Sequence, residues 1–386
     1  MNTEECDILF ISGTFDYVIG GENDYPKGKN PYAGEARFGA SGNYIFYSCV
    51  KLIDNVKIKV LPTFPGTSQI VEFSDFLQPI PYDLSGIPIQ NLLPYIPKHK
   101  FLFMSGDNTL SNEQIRTICN IHNSIPVNIA MTNGIFGEGG IDVSAPEVGG
   151  DLFSLNTIEK ANLYKDLNGV IIVASSSSKK VMQNSAWKDV RCELIPFPLE
   201  EIEIEDIPNT QEKVILWGTT QPDRRRKGKI ELEKILDELY NLCENPEEIL
   251  IKHVGPQPTE EIKTKFRIEH TGIISNRLEL SKIYKGAKVL AQTTLSDAGP
   301  MMSVECLRNS VPVIAFDTNI TTDLVDNGKN GYIVKDEREF AMRLYDILFE
   351  DKFHMDEDHI KNFNSINIVR KKYNDFYQSL ISIKND

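Results

Sequence analysis

No CxxC pair, HExxH or Cys/His cluster occurs in the 386 residues, so the ligand sets of structural and hydrolytic zinc sites are missing. The six cysteines, Cys6, Cys49, Cys119, Cys192, Cys243 and Cys306, stand singly. They argue against a disulfide framework and read as small buried apolar residues. Without a GxSxG elbow or a GxxxxGKS loop, the chain has no motif for a serine hydrolase or a P-loop enzyme. GxGxxG does not open the first strand-to-helix unit, which lowers the case for a dinucleotide-dependent dehydrogenase. The only Asp-x-Asp, Asp356-Glu357-Asp358, falls in a charged late segment and reads as a solvated helix face, so no metal is expected. No run approaches the roughly twenty apolar residues that span a bilayer. The amino-terminal MNTEECDILFISG is acidic where a signal peptide needs basic residues, and the expected location is the cytoplasm. Positive charge is also scarce: 41 Lys and Arg face 55 Asp and Glu, a net charge of -14, which argues against nucleic acid as a partner, and none is expected.

What the chain does have is alternation. A length of 386 residues exceeds one core and predicts at least two domains. Apolar runs at Asp7-Ile11, Lys57-Leu61, Lys100-Met104, Val127-Met131, Gly169-Val173 and Arg191-Ile195 read as strands of a first half. Those at Lys213-Trp217, Glu248-His253, Ile268-His270, Ala287-Ala291, Val311-Phe316 and Gly331-Val334 read as strands of a second half. Helical segments separate them, so the fold class is α/β: two doubly wound, Rossmann-like parallel-sheet domains. The acidic, proline-bearing PFPLEEIEIEDIPNTQ, from Pro196 to Gln211, reads as the linker. The expected domains are 1–207 and 208–364, followed by a last helix at 365–386.

The most informative stretch is TTLSDAGPMMSVECLRNSVPVIAFDTNITTDLVDNGKNGYIV, from Thr293 to Val334. A strand ends in a polar loop, Gly299-Pro300 turns the chain, and a helix begins with proline in its first turn, where a missing N–H costs nothing. The first N–H groups of that helix and its positive dipole end suit an oxygen-rich or anionic ligand beyond the strand. Asp297 before the turn and Glu305 more than a turn into the helix are placed to accept hydroxyl bonds. A second concentration of chemistry is PDRRRKGK, Pro222 to Lys229, four consecutive cations directly after a strand in an acidic chain. Gly39 and Gly42, in FGASG at the end of a long glycine-rich loop, allow close approach of backbone to ligand. Ser175 to Ser178 reads as a flexible polar loop, and His99 and His122 as core or surface residues.

The Thr293 to Val334 stretch resembles the carboxyl-terminal signature of retaining family 4 glycosyltransferases (glycosyl transferases group 1) of the GT-B fold, in which two acids with seven residues between them precede a Pro-Val strand and an Asn-Gly-Tyr turn. Here Asp297 stands for the first Glu of that pattern, and Glu305 is the second. The segment IPVNIAMTNGIFGEGG is similar to one found in colanic-acid and O-antigen type members, with Thr132 at the position usually held by His. IPFP, Ile195 to Pro198, stands where the family has Ile-Pro-Asn-Pro. Lys227-Gly228 matches the pair that binds the donor's diphosphate, while the Arg usual after Gly218 is Thr219, so one of Arg224 to Arg226 would supply the guanidinium.

The resemblance implies two domains facing a cleft, with the last helix crossing back to the first. The first domain would serve the acceptor and the second the nucleotide-sugar. It implies a metal-independent hexosyltransferase that retains anomeric configuration. Asp297, Lys227 and Arg226 would act at the reacting centre. Glu305, Gly299, Pro300, Met301, Met302, Gly218, Thr219, Gly39, Gly42 and Thr132 would bind the donor. No cofactor is implied, since the nucleotide-sugar is a substrate. The acceptor would be a glycan or a lipid-linked molecule in cell-surface polysaccharide assembly. Arg370-Lys371-Lys372 offers at most a weak peripheral contact with the inner membrane face. The departures at Thr132, Thr219 and Asp297 keep a catalytically silent GT-B binding or scaffold protein open, and a sugar-nucleotide epimerase would share the fold.

Overall fold

The computed structural model describes residues 5–12, 49–62, 88–105, 110–130, 155–196, 212–219, 222–274, 277–295, 301–317, 321–350, 353–355 and 365–385. The chain divides into two units, one carrying the first six strands and the C-terminal helix, the other carrying the remaining six strands. Each sheet is parallel throughout its pairs. All twelve strands expected from the sequence are present, with ends displaced by up to two residues.

In the first unit, β1 (Ile8–Ser12), β2 (Ile58–Pro62), β3 (Phe101–Ser105), β4 (Ile125–Ala130), β5 (Val170–Val173) and β6 (Arg191–Leu194) lie in the order β2-β1-β3-β4-β5-β6. Every residue of β4 and β5 is buried, as expected when helices cover both faces of a parallel sheet. Helix α1 (Asn112–His122) opens on a capping box: Ser111 Oγ accepts from Gln114 N at 3.2 Å, and Gln114 Oε1 accepts from Ser111 N at 2.7 Å. It closes on Asn123 in the left-handed region, a residue that tolerates it. Helix α2 (Leu155–Asp166) follows, and then α3 (Ser176–Gln183).

The start of α3 corrects the reading of Ser175 to Ser178 as a flexible loop. Ser175 caps the helix by accepting from Ser178 N at 3.1 Å, and both side chains are buried. Serine favours such caps because its hydroxyl supplies the acceptor that the first helical N–H groups lack. His99 and His122 form a tilted pair, ring centroids 4.7 Å apart, with His99 buried. Four of the cysteines are buried and two half-buried, all free.

In the second unit, β7 (Lys213–Gly218), β8 (Ile249–Val254), β9 (Arg267–His270), β10 (Val289–Gln292), β11 (Val313–Phe316) and β12 (Gly331–Val334) lie in the order β12-β11-β10-β7-β8-β9. Strand β11 starts two residues later than expected because Pro312 has no N–H to offer; its carbonyl accepts from Leu290 N instead. Helices α4 (Lys229–Leu242), α5 (Arg277–Lys285), α6 (Met301–Arg308) and α7 (Glu337–Phe349) connect these strands. Separate apolar clusters built on the strands' alternating residues hold the unit, one with α4 and α7, the other with α5 and α6.

The last helix, α8 (Ile366–Asn385), groups with the first unit. Its Val369, Tyr373, Phe376 and Leu380 are buried, Arg191 donates to Ser379 Oγ at 2.7 Å, and Lys384 donates to the Asn123 carbonyl. Arg370, Lys371 and Lys372 are on its exposed side, where Lys371 pairs with Asp375 at 2.9 Å. The linker positions 197–211 and Asp356-Glu357-Asp358 lie outside the described residues.

Candidate active site

Each sheet has one reversal of strand order, between β1 and β3 in the first and between β7 and β10 in the second, and the cationic turn after β7 makes the second the candidate site. The chain runs outward from β7 through β8 to β9, then crosses to the other side of β7 to continue with β10. Open α/β sheets hold ligands beyond the carboxyl ends of their strands at such a reversal, here between β7 and β10. The segments leaving those two ends are the cationic turn 222–228 and the approach to α6.

Hydrogen bonds join these segments. Trp217, buried at the end of β7, donates its indole N–H to Thr293 Oγ1 at 2.8 Å, and that hydroxyl donates to the Lys227 carbonyl at 3.3 Å. Leu295 N donates to the Arg226 carbonyl at 2.8 Å. Gly228 has φ +74°, and a Cβ there would lie 1.9 Å from the Thr293 carbonyl oxygen, so the turn seats itself on β10 only because this residue has no side chain. On the far side of β10, Gln292 Nε2 donates to Ser303 Oγ at 2.9 Å and Gln292 Oε1 accepts from Thr294 Oγ1 at 3.0 Å. Both ends of Gln292 are thus used, and the first turn of α6 is fixed to the strand. Gly218 completes the packing: a Cβ there would meet Met302 Sδ at 2.6 Å and the Val254 carbonyl at 2.8 Å.

The four cations are not equivalent. Arg225 donates from Nη1 and Nη2 to the two carboxylate oxygens of Glu231, at 2.7 and 2.6 Å, and Glu231 is buried on α4. This bidentate pair fixes the turn against the helix, so Arg225 is a structural cation. Arg224 is exposed, while Arg226 and Lys227 are half-buried. Arg225→Ala would leave the Glu231 carboxylate buried without its fork, whereas Arg224→Ala removes an exposed side chain. We expect urea midpoints to show a loss of about 2 kcal/mol for the first and less than about 0.5 kcal/mol for the second.

Of the residues singled out in the sequence, Lys227, Arg226, Gly218, Thr219, Met301, Met302 and Glu305 all lie on the elements leaving β7 and β10. Glu305 is half-buried on α6 and accepts from the Tyr284 hydroxyl at 3.0 Å. Thr219 N donates to the Val254 carbonyl at 3.1 Å. Asp297, Gly299, Pro300, Gly39, Gly42 and Thr132 lie outside the described residues. Sequence reasoning missed Tyr284, Glu231, Trp217 and Thr293. For Trp217 and Thr293, adjacency to strand ends was the available signal; Tyr284 and Glu231 carried none. Among the described residues no group of three or more His, Cys, Asp or Glu is set to hold a metal, and no helix is long and apolar enough to cross a membrane.

With this geometry in place, residues 225–362, which hold the Arg225 to Gly228 part of the cationic turn, the β10 end and α6, match the glycosyl transferases group 1 family. No curated protein sequence matches the chain. Among solved structures, the chain is similar to sucrose-phosphate synthase from Thermosynechococcus elongatus, at 14% identity and a TM-score of 0.67, over 98% of this chain and 100% of that one. It is also similar to Anabaena HepE in complex with UDP, at 12% identity and a TM-score of 0.60, over 97% and 100%. The pneumococcal O-GlcNAc transferase GtfA, in complex with UDP and GlcNAc, matches at 12% identity and a TM-score of 0.57, over 76% of this chain and 59% of that one. At such identities the likeness shows the fold, which is GT-B: two doubly wound parallel-sheet domains.

Proposed function

We propose that the chain is a retaining glycosyltransferase that moves a sugar from a nucleotide-sugar to a hydroxyl of a glycan or lipid-linked acceptor, without a metal, in cell-surface polysaccharide assembly. The observation that carries this reading is the hydrogen-bonded assembly at the β7/β10 reversal, where the Lys227 turn and the Glu305 helix meet at one strand end inside the group 1 match. A UDP-sugar is the first donor to test, because HepE and GtfA hold UDP.

In this account Lys227 and Arg226 neutralise the diphosphate together with the first-turn N–H groups of α6, and Gly299 and Pro300 are further donor contacts. Glu305 accepts from the ribose diol and Asp297 from the sugar's hydroxyls. Gly218, Thr219, Met301 and Met302 form the wall behind the donor. Gly39, Gly42 and Thr132 are further donor contacts in this reading. The bond between the anomeric carbon and the phosphate oxygen breaks as the acceptor oxygen bonds to that carbon from the same face, and the acceptor proton passes to the departing phosphate. These roles bind and stabilise charge, so loss of one slows turnover without removing a unique catalyst. The working location is the cytoplasm, with any membrane contact peripheral.

A thermal-shift panel of UDP, GDP, CMP and dTDP on the native chain and on Glu305→Ala tests the donor site. UDP at one hundred times its dissociation constant should add about 2.7 kcal/mol to the native chain, and the gain should shrink in the variant. Lys227→Ala should slow UDP release from UDP-glucose by about 10²-fold, measured by a coupled UDP assay. Absence of any shift across the panel, in a folded sample, overturns the donor site. Binding without donor cleavage or transfer returns the protein to the silent reading that Thr132, Thr219 and Asp297 raise.

A further inference from the structure

We infer that Tyr284 is a positioning residue for the donor site: its hydroxyl sets the carboxylate of Glu305 for the ribose diol. The inference rests on the reading of Glu305 as the ribose contact. Tyr284 lies near the end of α5, only 3% exposed, in the apolar cluster with Val304, Leu307 and Val311. Its ring therefore has one orientation. From that anchor the O–H donates to Glu305 Oε2 at 3.0 Å, across two helices, from a residue 21 positions away.

A glutamate on a helix surface has several rotamers, and ordering it on ligand binding costs conformational entropy. Among the described residues Glu305 meets constraints of two kinds. Its backbone carbonyl accepts from Asn309 N at 3.1 Å and from Asn309 Nδ2 at 2.8 Å, which fixes the helix around it. The phenol then fixes the carboxylate through a charge-assisted bond to one named oxygen. A tyrosine suits this task because a buried ring loses no further freedom when ligand arrives, and its polar tip reaches a partner that phenylalanine cannot. The alternative is that the bond only satisfies a buried hydroxyl. The two readings differ in what the ligand feels: a carboxylate held for the ribose discriminates between nucleotides with and without ribose hydroxyls, whereas a satisfied hydroxyl affects both alike.

The test is isothermal titration of UDP and 2′,3′-dideoxy-UDP into the native chain, Tyr284→Phe and Glu305→Ala. Tyr284→Phe keeps the ring and its packing, so the fold is retained, and thermal unfolding without ligand checks it. The native chain should prefer UDP, Glu305→Ala should lose the preference, and Tyr284→Phe should reduce it by about fivefold to tenfold with little change for the dideoxy nucleotide. A Tyr284→Phe protein with the full native preference overturns the positioning role while leaving the donor site standing. Equal weakening of both nucleotides also overturns it, in favour of a structural bond. A native chain that does not prefer UDP, or does not bind it, overturns the ribose reading of Glu305 and the inference with it.

Discussion

Gly228→Ala should lower the melting temperature of the second unit by about 10 °C and abolish its stabilisation by UDP. The expectation follows from two separate costs. The backbone at Gly228 is left-handed, φ +74°, which costs an alanine roughly 1–2 kcal/mol. The methyl would also lie 1.9 Å from the Thr293 carbonyl oxygen and 2.6 Å from its carbon, atoms of backbone at the end of β10 that cannot rotate aside. Something must shift, and the candidates are the bonds that Thr293 makes with Trp217 and Lys227. Together these give a loss of about 3–5 kcal/mol. Gly272 is the internal control. It has φ +71° and nothing within 4 Å of an added Cβ, so Gly272→Ala should show only the backbone cost. Differential scanning fluorimetry of both variants with and without UDP separates strain from collision. A fall for Gly228→Ala no larger than that for Gly272→Ala would contradict the close seating of the turn on β10.

Mild acid should destabilise both units, by about 2 kcal/mol each between pH 7 and pH 5. Burial pushes His253 down to about 4, with the neighbouring His270 adding to the shift; burial likewise pushes His99 down to about 4, with His122 and Lys384 adding. In an unfolded chain each imidazole takes up its proton near 6.5. Between those values the unfolded state binds more protons than the folded one, so stability falls as the pH falls from about 6.5 towards 4. The geometry agrees with the direction. His253 is fully buried against Trp217, ring centroids 4.8 Å apart, with its Nδ1 2.9 Å from that of His270 and no partner on Nε2 among the described residues. The two tryptophans, Trp187 in the first unit and Trp217 in the second, allow each unit to be followed by fluorescence in the appropriate Trp→Phe variant. Urea midpoints at pH 7, 6 and 5 should fall for both, and His253→Gln should flatten the trend in the second unit alone. A midpoint in the second unit that is flat over this range in the native chain would contradict the burial of a neutral His253.

Much of this architecture was legible before the structure. Parallel strands buried on both faces are short apolar runs, and runs such as VILW in β7 or VIAF in β11 have no other reading once helical segments separate them. Their ends were less legible, because ends depend on partners: β11 waits for Val313 since Pro312 cannot donate. Ser175 to Ser178 was misread because polarity suggests a loop, while serine at a helix start is a cap. In the candidate site, Lys227 and Glu305 stand out in the sequence by type and spacing. The division of labour among the cations did not, since Arg225 becomes structural only through Glu231, six residues on and buried on α4. Tyr284 meets Glu305 only through the packing of α5 against α6, which no local pattern encodes.

The central claim is that the diphosphate of a nucleotide-sugar is held where β7 and β10 part. A crystal structure of the complex with UDP tests it most directly. The account predicts density for the diphosphate against Lys227, Arg226 and the first turn of α6, with the ribose on Glu305. Density for the nucleotide on the first sheet, or an empty β7/β10 end in crystals of protein that binds UDP in solution, would contradict it.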